Sequence, residues 1–309
     1  METRKKLFVA GILVVAFAAL TTTAALKAGQ RSSLTWALQV SEARGPVRTA
    51  NLSTPLGKAV SSEILGGPAN GSEAAYLIYT RMPSGAHGPA MFTLPVDHLY
   101  MVLSGKMNIQ LGTDKFVVGP DTGVLVPARV PHEAWNADAE PEAHIEVIAP
   151  APSRDLMSML KPAEARKIEN AAQYIRPAKP LVGELRPGLN AQPILARSTG
   201  SANQMRIDSV PAGSGGPKPH IHAFEQVYFE KEGTMTLTYG INPKGNLATY
   251  KVPTGSFVII QPGVVHTNQN DGPGVERHVT LLLPEPEPNS GPLDIEVELK
   301  PPPPPRVRQ

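Results

Sequence analysis

The sequence predicts an all-β chain made of two successive β domains, and three observations carry that reading. Only 5% of the 309 residues are aromatic while 27 are Gly and 33 are Pro, a composition that favours short strands and many turns over long helices. Short apolar or alternating runs punctuated by glycine fill residues 72–150 and recur over 193–283. The two regions also repeat one another. Tyr100 to Gly105 precedes Val124 to His132 and then Asn136, and Val227 to Gly233 precedes Phe257 to His266 and then Asn270. His to Asn is four residues in both, whereas Gly to His is 27 in the first and 33 in the second, so one loop length separates the copies. A duplicated β unit is the economical explanation, and the length suits about two domains.

In chain order, Arg4, Lys5 and Lys6 precede an apolar run from Leu7 to Leu20 that continues weakly to Leu26. This reads as an export signal over 1–28, with a membrane anchor through residues 7–26 as the alternative. The segment carries four cations (Arg4, Lys5, Lys6, Lys27) and one acid (Glu2), so its removal takes the net charge from +2 to −1. The expected location is periplasmic or extracellular, with membrane contact only if the segment is retained. Residues 29–71 read as an irregular lead-in. In the first β region, strands are expected at Tyr100 to Leu103, Met107 to Leu111, Phe116 to Val118 and Val124 to Val126. Over the connection, 151–192, the spacing of Leu156, Leu160 and Ile168 predicts one or two short helices interrupted by Pro162. The second region predicts strands at Gln204 to Val210, Gln226 to Phe229, Thr234 to Tyr239, Leu247 to Val252, Phe257 to Ile260 and His278 to Leu282. Residues 284–309 are proline-rich and read as a stiff, extended spacer.

Composition excludes several functions. With no cysteine, disulfide scaffolds, cysteine zinc sites and thiol catalysis are ruled out. Near-balanced charge without a basic stripe argues against nucleic acid as a partner. Gly213 to Gly216 reads as a turn rather than a phosphate cradle. His132-Glu133 begins like a zinc-protease motif, but Asn136 stands where the second His is required.

The chemistry concentrates between Pro219 and Gln226. Residues two apart on a strand share a face, so His220 and His222 can aim two imidazoles at one interior point, with Gln226 on the same face if the register continues. His266 would arrive from a later strand. Three imidazoles and an amide oxygen suit one divalent first-row metal, Fe or Mn first, with Ni, Cu or Zn as alternatives, and leave positions open for substrate or water. Glu225 falls on the opposite face of a regular strand and reads as a surface carboxylate; across a bulge it would enter the cavity as the obvious general base. His144 and His278 have polar neighbours and no ligand spacing, and read as ordinary strand or surface histidines.

His220, His222, Gln226 and Gly233, followed by Gly255, Gly263, His266 and Asn270, resemble the two signature motifs of the cupin superfamily. The resemblance covers both β regions, so the chain looks like a bicupin: two jelly-roll barrels joined by a short helical connection. It implies that His220, His222 and His266 are metal ligands, with Gln226 as fourth. This chain departs from the pattern in three places: Gln226 stands where most metallocupins have Glu, Pro262 is displaced by one, and the leading glycine is Gly213 or Gly215. In the first copy the pattern is degraded. Phe92 and Leu94 occupy the His-x-His positions and His98 the Glu position, leaving His98 and His132 as a vestigial site, with Asp97 or a shifted His87 as candidate additions. The expected function is a metal-dependent, dioxygenase-like enzyme on a small organic substrate. A non-catalytic binding or structural cupin, and a non-redox isomerase, lyase or decarboxylase, are the alternatives. Cupins often pair barrels through sheet faces, either as a homo-oligomer or, here, between the two halves of one chain.

Overall fold

The computed structural model describes residues 45–152, 155–180, 184–240, 247–290 and 293–299. The expected export signal or anchor (1–28, 7–26) lies outside the described residues, as do the start of the lead-in and the end of the tail. Among the described residues no helix is long and apolar enough to cross a membrane.

The first half contains β1 (Val47–Thr49), β2 (Ser61–Gly66), β3 (Tyr76–Met82), β4 (Phe92–Thr93), β5 (Asp97–Ser104), β6 (Met107–Leu111), β7 (Asp114–Val118), β8 (Thr122–Val126), β9 (His132–Trp135) and β10 (Glu142–Ala149). The connection supplies β11 (Lys161–Pro162) and β12 (Ile175–Pro177). The second half contains β13 (Asn190–Leu195), β14 (Gln204–Val210), β15 (His220–Ile221), β16 (Glu225–Glu232), β17 (Thr234–Gly240), β18 (Ala248–Pro253), β19 (Ser256–Ile260), β20 (Val265–Gln269), β21 (Glu276–Leu283) and β22 (Ile295–Glu296). These form four antiparallel sheets, two per barrel, and the halves correspond strand for strand. The six-stranded order β12-β8-β5-β10-β3-β2 is matched by β1-β19-β16-β21-β14-β13, and the five-stranded β11-β4-β9-β6-β7 by β22-β15-β20-β17-β18.

The repeat extends to side chains. Asn136 donates through Nδ2 to the Met82 and Glu140 carbonyls at 3.0 and 2.8 Å. Asn270 does the same to Val210 and Gly274 at 2.8 and 2.7 Å. The shared His-to-Asn spacing therefore reflects a common brace between a strand end and a turn. Gly105 and Gly233 both have positive φ (69° and 93°), and a Cβ on Gly105 would lie 2.4 Å from the Pro141 carbonyl oxygen, so only glycine fits that turn.

Strand periodicity sets the core. On β5 and β16, Leu99, Met101, Val227 and Phe229 face the seam between barrels, where the two six-stranded sheets pack in one shared core with Leu77, Phe257 and Ile259. His98, Tyr100, Gln226 and Tyr228 alternate with them, inside the barrels. The two halves thus pair within one chain. Asp121, at the β7–β8 turn, adds ion pairs across the seam to Lys231 and Arg277 at 2.5 and 3.1 Å.

Three expectations are corrected. The connection holds two single 3₁₀ turns, Leu156–Met159 and Ala171–Tyr174, and no α-helix among its described residues. Neither turn has a side-chain N-cap, and the residue before a proline is driven extended, so Lys161–Pro162 becomes a strand instead. The lead-in is not wholly irregular, since β1 pairs with β19 of the opposite barrel. Part of the tail is not a spacer: β22 returns to pair with the His220 strand.

Candidate metal centre

His220 and His266 are direct partners across β15 and β20, which fixes two imidazoles on one wall of the second barrel. His222 follows one residue beyond β15, and Gln226 faces them from β16. The ring nitrogens of the three histidines lie within 4.8 Å of one another, all buried.

Backbone carbonyls set the tautomers. The Nδ1–H groups of His220, His222 and His266 donate to Lys218, Leu293 and Val264 at 2.7, 2.9 and 3.0 Å. Each Nε2 is thereby left as a lone pair. Burial, reinforced by the neighbouring imidazoles, depresses the pKa of His222 and holds that of His266 well below the usual value, so both favour the neutral form that ligates metal. Gln226 Oε1 lies 2.8 Å from His222 Nε2 and 2.9 Å from His266 Nε2, with no hydrogen available from either imidazole. Acceptors converging on acceptors are repulsive unless a cation sits among them, so the residues fit a divalent metal. An amide turned end for end would instead donate its NH₂ to both rings, the metal-free arrangement that elemental analysis would distinguish. Phe224 stacks on His222 with centroids 4.6 Å apart, and the Tyr228 hydroxyl donates to Gln226 Oε1 at 3.3 Å.

The adjoining cavity is about 100 Å³ and includes Arg206, Asp208, Asn268, His278 and Asp294 in its walls. Asp294 comes from the returning tail. Its Oδ1 lies 3.6 Å from His222 Nδ1 and 3.9 Å from His220 Nε2. Nothing in short-range spacing pointed to this residue.

Glu225 takes a different place from either expectation. Because Gln226 points inward, Glu225 points into the seam between barrels, where it is 3% exposed. It accepts from Ser72 Oγ at 2.5 Å and from the Glu73 amide at 3.0 Å. Burial pushes its carboxyl up to about 7. It is neither a surface carboxylate nor a group facing the metal candidates.

In the first barrel His98 and His132 do meet, with Nδ1 and Nε2 3.0 Å apart. His132 donates from Nδ1 to the Val130 carbonyl at 2.9 Å, and burial lowers its pKa to about 3. His98 Nε2 faces Glu146 Oε2 at 2.9 Å, so both of its ring nitrogens are engaged. Phe92 sits at the position of His220, paired with His132 as His220 is with His266. Asp97 binds the Ala128 amide at 3.0 Å, and His87 is exposed and stacked on Trp135; neither joins the cluster.

His144 and His278 are not surface residues. Both are about 1% exposed or less. Burial opposes their protonation, but Glu142 and Glu146 raise His144 to about 10, and Glu276 and Asp208 raise His278 to about 9. Glu142-x-His144 and Glu276-x-His278 are one motif in corresponding strands, a repeat the sequence held.

The cupin domain model matches residues 78–148 and 206–280. The chain is a bicupin. Solved structures similar to this bicupin include a single-residue variant of Bacillus subtilis oxalate decarboxylase, with TM-score 0.57, 12% identity and coverage of 76% of this chain and 77% of that one. A two-residue deletion variant of the same enzyme gives TM-score 0.59, 11% identity and 76% coverage of both chains. Lactobacillus farciminis oxalate decarboxylase in a formate complex gives TM-score 0.56, 10% identity and 77% and 86% coverage. No curated protein sequence matches.

Proposed function

We propose that the C-terminal barrel is a mononuclear divalent-metal centre, iron or manganese first, acting on a small organic anion. The convergence of the Nε2 lone pairs of His222 and His266 on Gln226 Oε1, beside His220, carries this reading. A bound ion would supply Lewis-acid polarisation of substrate oxygens. With a neutral amide in place of a carboxylate, the four candidate ligands carry no charge of their own to set against the ion, which favours an anionic chelator. The cavity of about 100 Å³ is smaller than the ~150 Å³ that takes a benzene ring, so the substrate has few non-hydrogen atoms. Arg206 on its wall is ion-paired with Asp208 at 2.9 Å, so it adds hydrogen-bond donors to the cavity rather than a free charge.

Of the chemistries expected from the sequence, cleavage of a small carboxylic acid without net oxidation is now preferred over a dioxygenase reaction. The small cavity supports it, and the similar solved bicupins are oxalate decarboxylases. Asp294 is the group placed to move a proton: its carboxyl faces His220 Nε2 from the returning tail, and it would deliver the proton that replaces the departing carboxyl group. Export through residues 1–28 belongs to the same reading, and N-terminal sequencing of the secreted protein tests it.

The test is CO₂ release and O₂ uptake by the metal-loaded chain across mono- and dicarboxylic acids of a few carbons. CO₂ release without stoichiometric O₂ uptake is expected. Asp294→Asn should lower turnover by about 10²-fold or more while metal content is unchanged. Stoichiometric O₂ uptake would favour the dioxygenase, and binding without turnover the non-catalytic cupin.

A further inference from the structure

The first barrel holds the larger cavity, about 260 Å³, at the same place in the repeat as the metal-side cavity of the second. Its walls are apolar, with Ile78, Phe92, Leu94, Ile148 and Leu156 packed together. Ile64 and Met157 also line it while being 44% and 67% exposed, which makes an apolar mouth. A dry, apolar cavity of ~150 Å³ is enough to take a benzene ring. This one accommodates a ring and a substituent.

Its polar end is Glu146. Thr80 Oγ1 donates to Oε1 at 2.5 Å and His98 Nε2 approaches Oε2 at 2.9 Å. His144 Nε2 stands 3.4 Å from Oε1. The Glu146 side chain is nonetheless 16% exposed and lines the cavity. His144 and His98 hold its pKa well below the usual carboxylate range against the cost of burial, so the group is an ionised acceptor. A carboxylate oxygen can take more than one hydrogen bond. An acceptor-only group at the end of an apolar pocket selects a donor and repels an anion. A cation gains less there, because the imidazolium of His144, shared with Glu142, answers part of the charge of Glu146, and a cation must shed its water to enter apolar walls.

We propose that the first barrel is a second, metal-independent binding site for a small, neutral, apolar molecule of about one ring that carries a hydroxyl group, with the hydroxyl donating to Glu146. Leu160, half-buried on the connection, closes the mouth. The pairings Lys161–Thr93 and Ile295–Ile221 place it where Asp294 stands in the second barrel. Metal binding in the second barrel is not required, so the two assignments stand or fall separately.

The test is calorimetric titration of the full-length protein with phenol, toluene, benzylamine and benzoate. Phenol should saturate at one equivalent, toluene and benzylamine should bind about tenfold more weakly or worse, as expected for loss of a hydrogen bond to a charged group, and benzoate should not bind. Leu160→Trp, which fills the mouth from a half-buried position, should abolish phenol binding. Glu146→Gln should bring phenol towards toluene. His266→Ala should leave phenol affinity unchanged. Absence of phenol binding by folded protein, toluene equal to phenol, benzylamine tighter than phenol, or phenol affinity lost in His266→Ala but kept in Leu160→Trp would each overturn the proposal.

Discussion

The two barrels share one strand order and one pair of asparagine braces, yet their interiors have opposite chemistry. Around the cavity, Ile78, Thr80, Phe92, His98 and Ala134 of the first barrel correspond to Arg206, Asp208, His220, Gln226 and Asn268 of the second, and Leu160 to Asp294. One pair of residues has even exchanged places. In the first barrel Thr80 on β3 donates to Glu146 on β10, and in the second Thr280 on β21 donates to Asp208 on β14, both at 2.5 Å. The threonine–carboxylate bond beside a buried histidine persists while its two ends swap strands. What the scaffold preserves is therefore the brace and the buried ion pair; which ligand each cavity accepts is set by a handful of inward positions.

The largest expected effect comes from transplanting those positions. Because Phe92 has the register of His220, and Leu94 that of His222, Phe92→His with Leu94→His should raise bound metal from one to two equivalents, using His132. Elemental analysis of the double variant checks this. If the count stays at one in folded protein, the barrels differ by more than donor identity.

Next is Glu225, which ties the barrels together from the seam. Its folded carboxyl sits at about 7 against an ordinary 4.5. Its proton is held more tightly in the native state, so the contribution is full below 4.5 and fades as pH rises to 7. Relative to Glu225→Gln, wild-type stability should fall by roughly 3 kcal/mol across that window, the other titrating groups being common to both proteins. Denaturant titrations at several pH values decide it; equal slopes in the two proteins would remove Glu225 from the account.

A smaller effect tests the sameness of the copies. Asn136→Ala and Asn270→Ala each leave two carbonyls without their donor, costing about 2 kcal/mol apiece. The two losses should agree within about 0.5 kcal/mol, and markedly unequal ones would mean that the braces are not equivalent.

The alternation of strands and the His-x-His spacing made the two barrels and the cluster of His220, His222, Gln226 and His266 legible, because both are short-range patterns. Asp294 was not legible. It reaches the site only because β22 returns across more than seventy residues to pair with β15. Glu225 was misplaced for a similar reason: alternation predicts that it faces away from Gln226, but only the packing of one barrel on the other turns that face from solvent into seam. His144 and His278 carry no signal singly; between the copies, Glu142-x-His144 and Glu276-x-His278 form a repeated one.

The central claim is that only the second barrel binds metal, and elemental analysis of the purified full chain beside His266→Ala and His132→Ala tests it most directly. The account predicts about one equivalent of a divalent transition metal in wild type and in His132→Ala, and none in His266→Ala. No metal after reconstitution with each ion, or metal lost equally with His132→Ala, would contradict it.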